Sequence, residues 1–111
     1  MAGFSGLASP SGFAAGSGVA GSDDGVGTAA TFSLPVGLAI GTNGVLYVAD
    51  DGNNLIRMVT PAGVVATLAG SINAGSADGP GSTAMFNQPS GIAVDTNGNL
   101  YVADLANNMI R

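Results

Sequence analysis

The sequence contains no cysteine, histidine, glutamate, lysine or tryptophan among its 111 residues. Without cysteine, the chain forms no disulfide and offers no thiolate metal site or cysteine nucleophile. Without histidine, it has no Ser-His-Asp triad, histidine-ligated zinc or imidazole base. We therefore expect a protein that is not an enzyme and that holds no cofactor or metal.

Charge is also scarce, because charged residues make up 8% of the chain and its only cations are two arginines. A net charge of −5 is incompatible with a basic surface that follows a phosphate backbone, so we expect no nucleic-acid partner. No apolar run approaches the roughly 18 residues of a membrane span. The first 20 residues lack lysine and arginine, which is unlike a secretory signal peptide. The composition nevertheless favours an extracellular or cell-surface location.

Glycine and apolar residues dominate what remains. The chain has 19 glycines and is 46% hydrophobic. Apart from alanine and leucine, strong helix formers are scarce, which argues against a helical protein. The chain is also too apolar for ordinary disorder.

An internal repeat organises the sequence. Residues 13–57 align with residues 67–111 at a constant offset of 54, and 26 of the 45 aligned positions are identical. Residues 39–50 and 93–104, for example, read AIGTNGVLYVAD and AVDTNGNLYVAD. Self-similarity at a fixed period of this length indicates stacked structural units that bury their apolar faces against one another.

Each unit is predicted to form four short strands separated by turns rich in glycine, asparagine, aspartate and proline. The second strand is apolar on both faces, which is typical of a strand covered on both sides. Stacked four-stranded antiparallel units of this kind are propeller blades, so the predicted fold class is all-β. In the first unit the predicted strands are 38–40, 45–49, 55–60 and 64–69.

The repeat register divides the chain into one complete blade and two complementary half blades. We predict an N-terminal half blade or arm at 1–15, a loop and complete blade at 16–69, and a long loop and C-terminal half blade at 70–111. Because two units are too few to close a propeller, neighbouring chains are expected to complete the half blades by strand addition. The residues predicted to form this assembly interface are Phe4, Leu7, Phe13, Ile92, Val94, Leu100, Val102 and Ile110.

Polar residues recur at the same offset and are candidates for turns, ion pairs or a cation site. We favour Asx-type turns, in which aspartate and asparagine side chains bond the local backbone. The two arginines either pair with aspartates or lie solvated along apolar surface. Residues 95–99 resemble part of a calcium loop, although a hairpin turn is favoured. The recurring positions are Asp50, Asn53 and Arg57, and then Asp104, Asn107 and Arg111.

The sequence resembles the NHL repeat through the segments GIAVD at 91–95, GNLYVAD at 98–104 and NNMIR at 107–111. Residues 37–57 carry the same pattern. The resemblance implies a β-propeller, commonly six-bladed, that serves as a binding or structural scaffold. Some members of the family bind RNA, and related propellers are lyases or lactonases. Their histidine-ligated or carboxylate-rich metal centres have no counterpart here, so no catalytic residue carries over.

These observations together predict a structural protomer that assembles head-to-tail with copies of itself. Such a contact produces a ring if the rotation closes and a helical fibre if it does not, and the sequence leaves both open. One alternative is an oligomeric propeller module that binds a carbohydrate or peptide. Another is a fragment of a larger propeller protein.

Overall fold

The structure, a computed structural model, describes residues 15–111. In this part of the chain the regular elements are eight β-strands and three single turns of 3-10 helix. The strands form one five-stranded and one three-stranded sheet. The all-β fold predicted from the sequence is confirmed.

The first sheet contains a four-stranded antiparallel meander, here called blade 1. Its strands are joined by tight turns, in which Gly44 and Gly63 adopt φ values of 83° and 85° that favour glycine. Because successive strands pair directly, their order in the sheet follows the order in the sequence. The strands are β2 (Pro35–Ile40), β3 (Leu46–Asp50), β4 (Leu55–Val59) and β5 (Val64–Gly70).

A fifth strand, β1 (Gly25–Val26), lies on the outer edge of blade 1 and pairs with β5. The backbone N–H of Gly27 donates to the Gly63 carbonyl at 2.9 Å and extends this contact. The sequence predicted only four strands in this unit. A strand of two residues is too short to leave an alternating pattern, so only its pairing with β5 reveals it.

The second sheet, here called blade 2, repeats the inner part of blade 1. Its strands are β6 (Pro89–Val94), β7 (Leu100–Asp104) and β8 (Met109–Ile110). The β6–β7 register reproduces that of β2–β3, including the irregularity after the first proline. In both blades a 3-10 turn ends at a left-handed asparagine, with φ of 59° at Asn54 and 57° at Asn108.

The main apolar core lies between the two blades. Ala49 and Ile56 of blade 1 pack with Val102 of blade 2, and Ala84 and Phe86 of the connecting loop complete the cluster. A second cluster covers part of the opposite face of blade 1. It contains Ala30, Val48, Val59 and Val65, with Ala15, Phe32 and Leu46 packed against it.

The residues predicted for an assembly interface fall into different environments. Ile92, Leu100 and Val102 pack in the core between the blades, because blade 1 already covers the side of blade 2 on which they lie. The sequence-based prediction assigns these three residues to an interface with a neighbouring chain. Val94 is half-buried, whereas Ile110 is 75% exposed. Phe4, Leu7 and Phe13 lie outside the described residues.

Candidate functional site

The most elaborate polar arrangement surrounds Arg57 on β4 and is here called the first arginine clamp. The Arg57 guanidinium pairs with Asp50 at 3.0 Å and with Asp24 at 2.9 Å. It also donates to the backbone carbonyls of Thr31 and Asp23, the latter at 2.7 Å. The side chains of Arg57 and Asp50 are completely buried, so this charge pair is sequestered from water.

Further hydrogen bonds hold Asp50 in place. It accepts the Ser33 backbone N–H at 2.8 Å and the Asn53 side-chain amide at 2.7 Å. The Asn53 amide also donates to the Gly21 carbonyl at 2.7 Å. The Phe32 ring lies 4.6 Å from the centre of the guanidinium, within the range of a cation–π contact. The clamp thus fastens the loop at 21–33 to the β3–β4 turn.

The same arrangement recurs around Arg111 as the second arginine clamp. Arg111 pairs with Asp104 at 3.1 Å and with Asp78 at 2.7 Å. Asn107 donates to Asp104 at 2.8 Å and to the Gly75 carbonyl at 2.7 Å. This copy is more open, because the Arg111 side chain is 9% exposed and that of Asp78 is 93% exposed.

The structure therefore brings together the predicted residues Asp50, Asn53 and Arg57, and likewise their three equivalents. Each ion pair lies within one repeat unit. Asp24 and Asp78 were not among the predicted pairing residues, although both recur at the 54-residue offset. Because the two arginines recur at the same offset, this shared recurrence is the sequence signal that could have identified Asp24 and Asp78 as their partners.

The carboxylates of the two clamps are saturated with hydrogen bonds. Asp50 and Asp104 accept hydrogen bonds from guanidinium, amide and backbone donors, which occupies the oxygens that a cation would use. Among residues 15–111, no three acidic, histidine or cysteine side chains group closely enough to hold a metal ion. The arginine supplies the positive charge that a buried carboxylate requires.

The segment at 95–99 forms a hairpin turn around the Asp95 carboxylate. Asp95 accepts the backbone N–H groups of Asn97 and Asn99, both at 2.9 Å, and the Tyr101 hydroxyl at 3.1 Å. The backbone and side-chain donors of Asn99 lower the pKa of Asp95, and the hydrogen bond to Asp95 raises that of Tyr101. These contacts match the favoured turn interpretation.

The Asp24 carboxyl makes the first clamp sensitive to acid. Burial raises its pKa, but hydrogen bonds from Arg57 and Thr67 outweigh burial, so the pKa lies below the usual 3.8. A depressed folded-state pKa means that the stabilisation is complete above the unfolded-chain value of about 3.9 and is lost as pH falls through the folded-state pKa.

We therefore expect the stability advantage of the native chain over Asp24→Asn to be constant above about pH 5 and to shrink below about pH 4. Denaturant titrations between pH 7 and pH 2 measure this difference. Asp51→Asn is the control, because Asp51 forms no ion pair within the described part of the chain. A difference for Asp24→Asn that stays constant down to pH 2 would contradict the assignment.

Each blade also presents one apolar face, here called its free face, that no other blade covers among residues 15–111. The free face of blade 1 carries Val36, Leu38 and Ile40 on β2, and Leu38 is 64% exposed. Their equivalents Ser90, Ile92 and Val94 are half-buried against blade 1. Exposure of these positions therefore depends on whether a preceding blade is present.

The free face of blade 2 shows the complementary contrast. Ile110 on this face is 75% exposed, whereas its equivalent Ile56 in blade 1 is buried. Beside the free face of blade 1 lies a groove of about 720 Å³, lined by residues 15–20, Thr28 and residues 32–35. Within residues 15–111, no helix is long and apolar enough to cross a membrane.

Comparison with known sequences identifies both units. The NHL repeat matches residues 32–57 and 86–110. Protein SUPPRESSOR OF QUENCHING 1, chloroplastic, from Arabidopsis thaliana is 38% identical over 92 residues, covering 82% of this chain and 9% of that protein. NHL repeat-containing protein 2 from Bos taurus is 40% identical over 92 residues, covering 79% of this chain and 13% of that protein.

Solved structures superpose closely on the fold of this chain. A structural genomics protein of unknown function from Bacteroides thetaiotaomicron superposes with a TM-score of 0.82 at 28% identity, covering 92% of this chain and 27% of that one. An auxiliary nutrient binding protein from the same organism superposes with a TM-score of 0.75 at 30% identity, covering 84% and 25%. The chain thus spans about a quarter of these structures and a smaller share of the curated relatives. It carries two NHL repeats with a β-propeller-type blade fold and belongs to the NHL-repeat family.

Proposed function

We propose that the chain is a non-catalytic structural protomer that stacks head-to-tail with copies of itself into a propeller-like ring or a helical fibre. The observation that carries this proposal is the match between the two free faces. The free face of blade 2 is equivalent to the side of blade 1 that is already covered, and the free face of blade 1 is equivalent to the covered side of blade 2. A second copy therefore fits either end through an interface of the kind formed inside the chain.

The position of Gly16 supports strand complementation at this junction. Its backbone N–H donates to the Gly27 carbonyl at 3.1 Å, as the N–H of Gly70 does to the Gly81 carbonyl. Gly16 thus occupies the place of the last β5 residue in the preceding unit. In the proposed assembly, another copy completes blade 2 by adding a strand beside β8.

The chemistry of the described residues agrees with a scaffold. The arginine clamps use both cations of the chain for internal ion pairs, so neither clamp arginine is free to bind a substrate anion. The proposed non-enzymatic role also rests on the residue types that the sequence lacks. We further propose an extracellular or cell-surface location, which rests on composition alone.

Light scattering coupled to gel filtration tests the assembly. We expect the native chain to associate at micromolar concentration and Leu38→Asp to remain a monomer, because this change places a charge on the free face of blade 1. Ala62→Asp adds the same charge on the exposed β4–β5 turn and is the matched control, which should associate normally. A folded, monomeric native chain at these concentrations would overturn the proposal.

A second candidate function is a ligand-binding module within a larger propeller. The observations that favour it are the groove beside Phe32 and the limited share of the solved structures that this chain spans. One of those structures is described as an auxiliary nutrient binding protein. Screening the assembled chain against carbohydrates and peptides tests this alternative, which predicts saturable binding that Phe32→Ala weakens.

A further inference from the structure

A side-chain amide ties the two blades together inside the chain. The Asn54 Nδ2 donates to the Ile72 carbonyl at 3.2 Å, and its Oδ1 accepts the Gln88 backbone N–H at 2.9 Å. Asn54 holds this orientation from a left-handed backbone position at the end of the β3–β4 turn. The amide therefore connects blade 1 to both ends of the loop that leads into blade 2.

The repeat places an equivalent asparagine at one end of the described structure and the equivalent backbone groups at the other end, where they are not in contact with each other. Asn108 corresponds to Asn54 and shares its left-handed backbone, with φ of 57°. Its side chain makes no hydrogen bond within residues 15–111, and neither the Gly18 carbonyl nor the Leu34 N–H has a partner there. Gly18 and Leu34 are the positions equivalent to Ile72 and Gln88.

A close backbone approach accompanies the amide bridge. A Cβ placed on Gly37 would lie far inside contact distance of the Ser90 carbonyl oxygen, so β2 and β6 pack closely only because residue 37 is glycine. The equivalent Gly91 faces open space apart from the Ala103 Cβ at 3.4 Å. Nothing within residues 15–111 explains a glycine at position 91 by a comparable contact.

We infer that Asn108 and Gly91 form a contact site for a second copy of this chain. The Asn108 amide donates to the Gly18 carbonyl and accepts the Leu34 N–H of that copy, while Gly91 faces the carbonyl of its Val36. This inference rests on the proposed head-to-tail assembly and names its contacts. We choose a second copy as the occupant because its Gly18, Leu34 and Val36 are the repeat equivalents of the residues that Asn54 and Gly37 contact inside the chain.

Two substitutions disrupt these contacts with little effect on the isolated fold, one by deleting the amide and the other by blocking the close backbone approach. Asn108→Gly deletes the amide and keeps a residue that accepts positive φ, and Gly91→Ala adds a methyl group that has room in the single chain. We expect each change to weaken self-association by roughly tenfold or more, measured by analytical ultracentrifugation. The unfolding midpoint of the dissociated chain should stay unchanged.

The matched internal pair provides the control. Asn54→Gly and Gly37→Ala alter the equivalent contacts between the two blades of one chain, so we expect them to lower the unfolding midpoint of the dissociated chain. Unchanged association of both Asn108→Gly and Gly91→Ala, in a native chain that does assemble, would overturn the inference while leaving the proposed function intact. A native chain that does not assemble would overturn the proposed function and, with it, this inference.

Cross-linking tests the same contact without relying on stability. Because the chain has no cysteine, Asn108→Cys and Leu34→Cys each introduce a single thiol. We expect an equal mixture of the two under mild oxidation to form mainly the mixed disulfide, since head-to-tail packing brings residue 108 of one copy to residue 34 of another. Ala62→Cys replaces Leu34→Cys in the control mixture. A yield of mixed disulfide no higher than the yield in that control mixture would contradict the inferred contact.

Discussion

Replacing Arg57 with methionine is expected to lower the free energy of unfolding by about 3–5 kcal/mol, the usual cost of breaking a buried ion pair from one side. The change leaves the completely buried Asp50 without its cation. It also removes the donors to the carbonyls of Thr31 and Asp23, which frees the loop from the β3–β4 turn. Urea unfolding at pH 7 followed by circular dichroism measures the loss.

The repeat supplies a matched control for this prediction. Arg111→Met removes the same contacts from the second clamp, where Arg111 is partly exposed and Asp78 is almost fully exposed. Asp104 is as buried as Asp50, but water already solvates Asp78 and reaches part of Arg111, so we expect a smaller loss of stability. Equal losses for the two variants, or a smaller loss for Arg57→Met, would show that burial does not determine the strength of the clamp.

The second large effect is expected for Phe86→Ala, which should cost about 3–5 kcal/mol, as is typical for removing a buried phenylalanine. Phe86 is 6% exposed in the core between the blades, and its ring lies 5.2 Å from the centre of the Arg111 guanidinium. Its removal therefore leaves a cavity at the only interface between blades within the described residues. We expect blade 2 to lose its packing on blade 1.

The control is Phe32→Ala at the equivalent position beside the free face of blade 1. Phe32 is half-buried, so the dissociated chain should lose less stability than with Phe86→Ala. If copies stack head-to-tail, the cost of Phe32→Ala should rise with protein concentration, because assembly buries that ring. Thermal unfolding of both variants over a range of concentrations measures this. A larger loss for Phe32→Ala in the dissociated chain would contradict the assignment of the core.

Much of the fold was predictable because local signals and the repeat agreed. The β3–β4 and β4–β5 hairpins follow from apolar strands separated by turn residues, and the structure has strands close to the predicted limits. By contrast, β1 was missed, since a two-residue strand has no period of its own. The clamp partners Asp24 and Asp78 were also missed, because their pairing depends on a loop that folds back over the blade from 33 residues away.

The sequence by itself determined the 54-residue repeat, the blade-like strands within it and the recurrence of arginine with aspartate and asparagine. It could not assign environments, because equivalent positions carry the same or similar residues in both units. Only the tertiary structure decided that Ile56 is buried and Ile110 exposed, or that Ile92 and Val94 of β6 are half-buried whereas Leu38 and Ile40 of β2 are exposed. The physical reason is that a side-chain pattern records which face is apolar, whereas burial depends on whether another blade is packed against that face.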